Sequence, residues 1–323
     1  MQLASARSVQ LSKTLSDSGR SNQALAGIAC LCIGVFFFSV QDAMVKQLLS
    51  TYSVLQILLV RAAVAGAALG GFILWRRGVA GLRTALPRLH ALRCAFVFFA
   101  FTSFYTAVGL LPLADVVALF GAAPIIITAL SRPVLGEQVD ARRWCAVVVG
   151  FIGVVIMVKP GAEVFNPAAL FGVFAACCYA GSAITVRYMG SKEAPSQLAF
   201  FSNMTFIIGC GIGLTVISMS VDPQLDPSTL SPLLRPYAPA ARTDLMLMVA
   251  AGLVTISGFV LVPRAYQLAP VSVVSPFEYT YLLWALLFGF FVFGELPGVT
   301  TAVGAALVVA ASVYIARRET ASL

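Results

Sequence analysis

Charge is what this sequence has least of. Only 11% of its 323 residues are Asp, Glu, Lys or Arg, where soluble domains carry roughly a quarter. So few charges cannot coat a water-facing surface, and 60% hydrophobic content with mean hydropathy +0.94 excludes a disordered chain. Histidine is almost missing: His90 stands alone in a basic stretch, where it reads as solvated. No C-x-x-C links the seven cysteines, all of which lie in apolar runs, so they read as small buried hydrophobes instead of metal ligands or disulfide partners. No G-x-x-x-x-G-K-[ST] occurs, which excludes an ATP-driven step within this chain. Apolar and polar residues do not alternate, which excludes a membrane β-barrel. No metal or cofactor is expected.

What the sequence does have is apolar runs of membrane length. A spanning helix needs about 20 such residues, and ten runs qualify. Five are Ala24–Val45, Val54–Trp75, Cys94–Leu111, Val116–Leu135 and Trp144–Val158; five more are Ala168–Val186, Gln197–Met219, Leu245–Val262, Val271–Phe293 and Gly298–Ala316. The expected fold is an all-α polytopic membrane protein. Residues 1–23, polar and Ser-rich, read as a disordered cytoplasmic tail. The connection 220–242 contains Pro223, Pro227, Pro232, Pro236 and Pro239 and reads as a long external loop without helix.

Ten crossings put both termini on one side, and the basic residues choose which. With the N-terminus inside, the inner segments hold Arg7, Lys13, Arg20, Arg76, Arg77, Arg83, Arg88, Arg93, Arg132, Arg142, Arg143, Arg187, Lys192, Arg264, Arg317 and Arg318. The outer segments hold only Lys46, Lys159, Arg235 and Arg242. The positive-inside rule therefore predicts cytoplasmic termini. The net charge of +8 is read as this orientation signal and not as a nucleic-acid surface.

The chain also repeats itself. Shifted by 158 residues, Ala107–Glu137 lies over Ala265–Glu295 without a gap, matching Pro112 with Pro270, Gly136 with Gly294 and Glu137 with Glu295. Five spans separate the copies, and an odd number inverts the second in the membrane. Inverted repeats are a mark of secondary transporters, whose two halves exchange conformations to give alternating access.

On these residues the chain resembles the drug/metabolite transporter superfamily, in particular carriers with two EamA-type domains. The similarity is carried by Phe36–Lys46, the Arg61 span, Ala107–Asp115, Ala123–Leu130, Gly136–Glu137, Ser275–Thr280 and Phe293–Pro297. It implies ten helices as two five-helix repeats, residues 24–160 and 165–318, around a central cavity. It further implies a bacterial inner-membrane carrier of small organic metabolites. The ending of span one, Ser39-Val-x-Asp42-x-x-x-Lys46, is similar to the S-adenosylmethionine uptake branch. Amino-acid or drug exporters and riboflavin carriers of the superfamily remain alternatives.

Charged residues within the hydrocarbon are costly and normally face a cavity or a partner. Arg61 and Glu278 each lie seven residues inside their spans, about 10 Å deep from opposite sides. Glu278 is the expected cation or proton site, and Arg61 the expected anchor for a substrate carboxylate through its planar fork; a structural network without substrate is the competing reading. Asp42 and Lys46, four apart at the end of span one, form either a surface ion pair or part of the substrate path. Tyr105, Tyr279, Tyr281 and Trp284 offer rings on which a planar or cationic substrate could stack. Pro124 and Pro276 are the hinge candidates. Glu137 and Glu295 read as caps that pin the repeat turns, and Gly66/Gly70 and Gly209/Gly213 as close-packing positions. With one histidine and no two acidic residues in one span, a membrane enzyme is the weaker class. A scaffold would have no use for Arg61 and Glu278 in lipid.

Overall fold

A computed structural model describes residues 2–111, 113–137, 140–158, 168–220 and 231–294, with scattered helical positions from 303 to 314. The described chain is helical, without strands. In order come α1 (Gln2–Leu48), α2 (Val54–Arg77), α3 (Pro87–Val108), α4 (Leu113–Phe120), α5 (Ala123–Leu135) and α6 (Ala141–Val158). They are followed by α7 (Ala169–Met189), α8 (Pro195–Ser220), α9 (Arg242–Leu268), α10 (Val271–Val274) and α11 (Thr280–Phe293). Seven stretches among the described residues are long and apolar enough to cross a membrane. The tenth expected span, Gly298–Ala316, lies largely outside the described residues, as do Pro112, Glu295 and positions 221–230 of the long loop.

Local chemistry sets the boundaries. Ser53 caps α2 by accepting from the Leu55 amide at 3.3 Å, and prolines open α3 and α8, where a missing N–H costs nothing. α1 is helical from Gln2, through the segment expected as a tail; no proline precedes Pro87 to stop it, and its membrane-length part is Asn22–Leu48. Residues 231–241 are non-helical apart from a turn, as their prolines require.

Two spans expected as single helices are broken. The fourth stops at Phe120 and restarts at Ala123, so Pro124 opens α5 instead of kinking a continuous helix. The ninth passes through a tight 3-10 segment, Ser275–Tyr279, which contains both Pro276 and Glu278. Under the 158-residue register the first break, residues 121–122, falls on 279–280, where the 3-10 segment gives way to α11.

α1 packs chiefly along α9, α2 along α8 and α3 along α7. Glycines let the backbones approach: a Cβ on Gly34 would come within 2.8 Å of Val262 Cγ2, and one on Gly66 within 2.5 Å of Met204 Cε. Gly70, Gly209 and Gly213 likewise abut Phe200, Phe98 and Leu55, which is the close-packing role expected of these positions.

Candidate functional site

α1, α3, α7 and the two broken spans line a partly open cavity. Asp42 and Glu278 both face it, among Phe38, Phe101, Phe104, Phe120, Tyr179 and Tyr281. Each carboxylate is held by two tyrosines from different helices. Asp42 accepts from Tyr105 and Tyr281, while Gln41 joins the group and accepts from Thr255 of α9. Glu278 Oε1 accepts from Tyr179 at 2.7 Å and from Tyr266. Its Oε2 is buried with no hydrogen-bond partner among the described residues. A buried acceptor left unsatisfied costs about 1–3 kcal/mol, more if charged, so this oxygen is poised for a proton or a cationic ligand. Its place on an irregular 3-10 turn is the situation in which broken helices line transporter sites.

Arg61 is fully buried behind this cavity. Its Cζ lies 5.2 Å from the Phe206 ring, 5.3 Å from Phe101, 5.7 Å from Phe259 and 5.9 Å from Tyr105. None of its three guanidinium nitrogens has a hydrogen-bond partner among the described residues. Aromatic faces ease the burial of a cation by roughly 0.5–2 kcal/mol each, which leaves its donors free for an anion.

The structure brings together Asp42, Tyr105, Tyr281 and Glu278, with Pro124 on the cavity wall and Arg61 one ring behind it. Other expected members lie elsewhere. Lys46 does not pair with Asp42 at i+4; its Nζ sits 4.4 Å from the Phe293 ring centre, while Tyr105 and Tyr281 donate to Asp42. Trp284 packs edge-on against Phe36 at 4.8 Å, on the α1 contact and off the cavity wall. Tyr279 borders the cavity, but its ring fills the space over Gly150 and its hydroxyl donates to Val147 O at 3.3 Å. Pro276 is buried within the 3-10 turn.

Sequence reasoning missed Tyr179, Gln41 and Thr255 as site members. Their signal was a hydrogen-bonding side chain in the middle of an apolar run, where a partner is obligatory. It also misplaced His90 and Arg93, which are buried in α3. His90 Nε2 lies 3.4 Å from Glu193, which also accepts from Thr84 Oγ1 at 2.6 Å and the Ala85 amide at 2.7 Å.

Two clusters of contacts tie the connections at opposite ends of the bundle. At one end, Gln197 donates to Gly81 O and Arg83 O beside the Glu193 group. At the other, Gln56 exchanges hydrogen bonds with the Ala238 backbone, and Tyr52 donates to Asp244 at 2.7 Å. Glu137 pairs with Arg187 at 3.1 Å and accepts from the Val271 and Ser272 amides, so it caps the start of the ninth span, whereas the Gly-Glu motif suggests a cap on its own repeat turn.

A family profile described as the EamA-like transporter family matches residues 25–159 and again 166–317. The chain belongs to this family. Among relatives of this EamA protein, the S-adenosylmethionine uptake transporter of Rickettsia prowazekii (strain Madrid E) is 26% identical, over 93% of this chain and 95% of its own. The riboflavin transporter of Rhizobium johnstonii is 27% identical over 76% of this chain and 75% of its own. A solved crystal structure with 16% identity superposes on the EamA chain with a TM-score of 0.67, over 89% of this chain and 96% of that one. Family and fold together make the chain a multi-pass membrane protein of a transporter family.

Proposed function

We propose that this protein is a secondary transporter that moves a small organic metabolite with a cationic group across the bacterial inner membrane by alternating access. The observation that carries the reading is the unpartnered Oε2 of Glu278, a residue that lines the same aromatic cavity as Asp42. Two carboxylates among rings suit an ammonium or sulfonium centre through charge and cation–π attraction. That chemistry favours an S-adenosylmethionine-like or amino-acid-like substrate, and the name of the Rickettsia relative supports it. A flavin would use the rings but leave both acids uncompensated, so riboflavin is the weaker candidate.

The halves act as two inverted five-helix repeats with ten spans and both termini cytoplasmic. The double family match supports the duplication. So do Gln56 and Gln197, which reach from the starts of α2 and α8 to the connections of the opposite halves. Arg61 anchors the substrate carboxylate. Glu278 exchanges a proton or the substrate cation, so transport runs with protons or by exchange.

The test is uptake and efflux of labelled S-adenosylmethionine, amino acids and riboflavin in vesicles. Glu278→Gln and Arg61→Ala are each expected to cut transport at least tenfold while the protein still folds. Normal transport by both variants would remove these residues from the site. An imposed proton gradient that leaves the rate unchanged would leave exchange as the mode.

A further inference from the structure

α2 and α8 keep a common register. Counted from their first residues, Val54 and Pro195, the two clasping glutamines Gln56 and Gln197 stand at the same step, as do Arg61 and Ser202. α8 thus has a serine where α2 has its buried arginine. The serine is not vacant: its Oγ accepts from Arg93 Nη2 at 2.9 Å, and Arg93 Nη1 donates to Leu198 O at 2.9 Å. The 158-residue register pairs Arg93 of α3 with Ala251 of α9, which is fully buried beside Gly252, whose Cβ position is 2.8 Å from Arg61 O. Each end of the bundle therefore receives one guanidinium, from α2 at the Tyr52 end and from α3 at the Glu193 end. Arg61 and Arg93 lie seven and six residues into their helices, about 10 Å and 9 Å from opposite ends at 1.5 Å per residue.

Arg93 also has room beside it. It lines a second, partly open cavity that shares Phe38, Phe101 and Tyr179 with the central one. Only 1% of its surface is exposed, its Nε has no partner among the described residues, and no carboxylate pairs with it or with Arg61 there. Two neutral oxygens compensate a buried cation incompletely. We infer that Arg93 is a second carboxylate-binding site on the passage, and that it receives the substrate's anionic group at the Glu193 end as Arg61 does at the Tyr52 end. The handover between them rests on the transport reading above; the binding of a carboxylate does not.

The binding test uses the purified full chain and acetate as the probe, with chloride at equal ionic strength as the competing anion. Acetate at ten times its Kd is expected to raise the melting temperature by about 2–4 °C. Arg93→Met and Arg61→Met should each lose about half of that rise, and the double variant all of it. A full rise in Arg93→Met, or none in the wild type, overturns the site, and an equal rise with chloride reduces it to an unselective anion pocket. If Arg93→Met does not fold, Arg93→Lys keeps the charge without the planar fork; it should lose at least half of the share of the rise that belongs to Arg93, and full retention overturns the site equally. In vesicles of known sidedness, Arg93→Met should raise KM about tenfold from the Glu193 face and leave the opposite face within twofold, whereas equal changes on both faces would mark a structural role. Acetate binding that depends on Arg93 while no labelled metabolite is moved would refute the transport reading and leave this site standing.

Discussion

Gly136 and Gly294, 158 residues apart, close their helices in the same left-handed conformation, with φ of 68° and 67° and ψ of 16° at both. Each ends a broken span, α5 or α11, and its amide returns to the last turn of that helix. Only glycine takes this geometry without a penalty from Cβ. Among the described residues no atom stands within 4 Å of the Cβ position at either site, so the backbone conformation sets the penalty. Gly136→Ala and Gly294→Ala are therefore expected to destabilise the protein equally, by about 1 kcal/mol each. Unfolding of the detergent-solubilised protein would check this, and unequal losses would separate the two caps.

Gly252 is a different case. A methyl group there meets the Arg61 carbonyl oxygen and Val64 Cβ, both at 2.8 Å, and backbone cannot swing aside as a side-chain tip can. Gly252→Ala should cost about 1–3 kcal/mol by pushing α9 from α2. A melting temperature matching that of the wild type would show that the helices do not cross this closely.

The two end clusters should act as opposed latches. Glu193→Ala leaves the Thr84 hydroxyl and the Ala85 amide without their shared acceptor, at a cost of about 1–3 kcal/mol, and removes the carboxylate 3.4 Å from His90 Nε2. Tyr52→Phe removes the bonds to Asp244 and the Ala241 amide at the other end. The first change is expected to increase labelling by a membrane-impermeant reagent from the Glu193 face and the second from the Tyr52 face. Increases from the same face for both would contradict opposed latches.

Tyr179 and Tyr266 converge on one oxygen of Glu278. A hydrogen bond to a charged group contributes about 1.5–3 kcal/mol, and a third to a half of that reaching substrate binding gives roughly 3–10-fold. Tyr179→Phe and Tyr266→Phe should each raise the KM for the transported metabolite by that factor. A KM unchanged in both would place Glu278 outside substrate binding.

Much of this was legible in the sequence. Nine of the expected spans coincide with described helical stretches, since apolar length is a one-dimensional property. Asp42, Arg61 and Glu278 could be singled out because charge in hydrocarbon is costly wherever it lies. Which of them share a cavity could not. Asp42 meets Tyr281 across 239 positions of chain, and no local pattern encodes that distance. The i+4 spacing of Asp42 and Lys46 suggested an ion pair, but two tyrosines reach Asp42 first. His90 and Arg93 read as loop charges because the apolar run begins at Cys94, whereas Pro87 opens the helix about two turns earlier.

The sequence alone determined a helical membrane protein with few charges, their positions along each span, and a duplicated Gly-Glu exit, because hydropathy and glycine's backbone freedom act locally. Tertiary structure alone decided that four tyrosines hold two carboxylates and that Arg93, from another helix, stands where the second half lacks an arginine. Such pairings depend on which helix faces lie against each other, and packing fixes those faces only when the whole bundle closes.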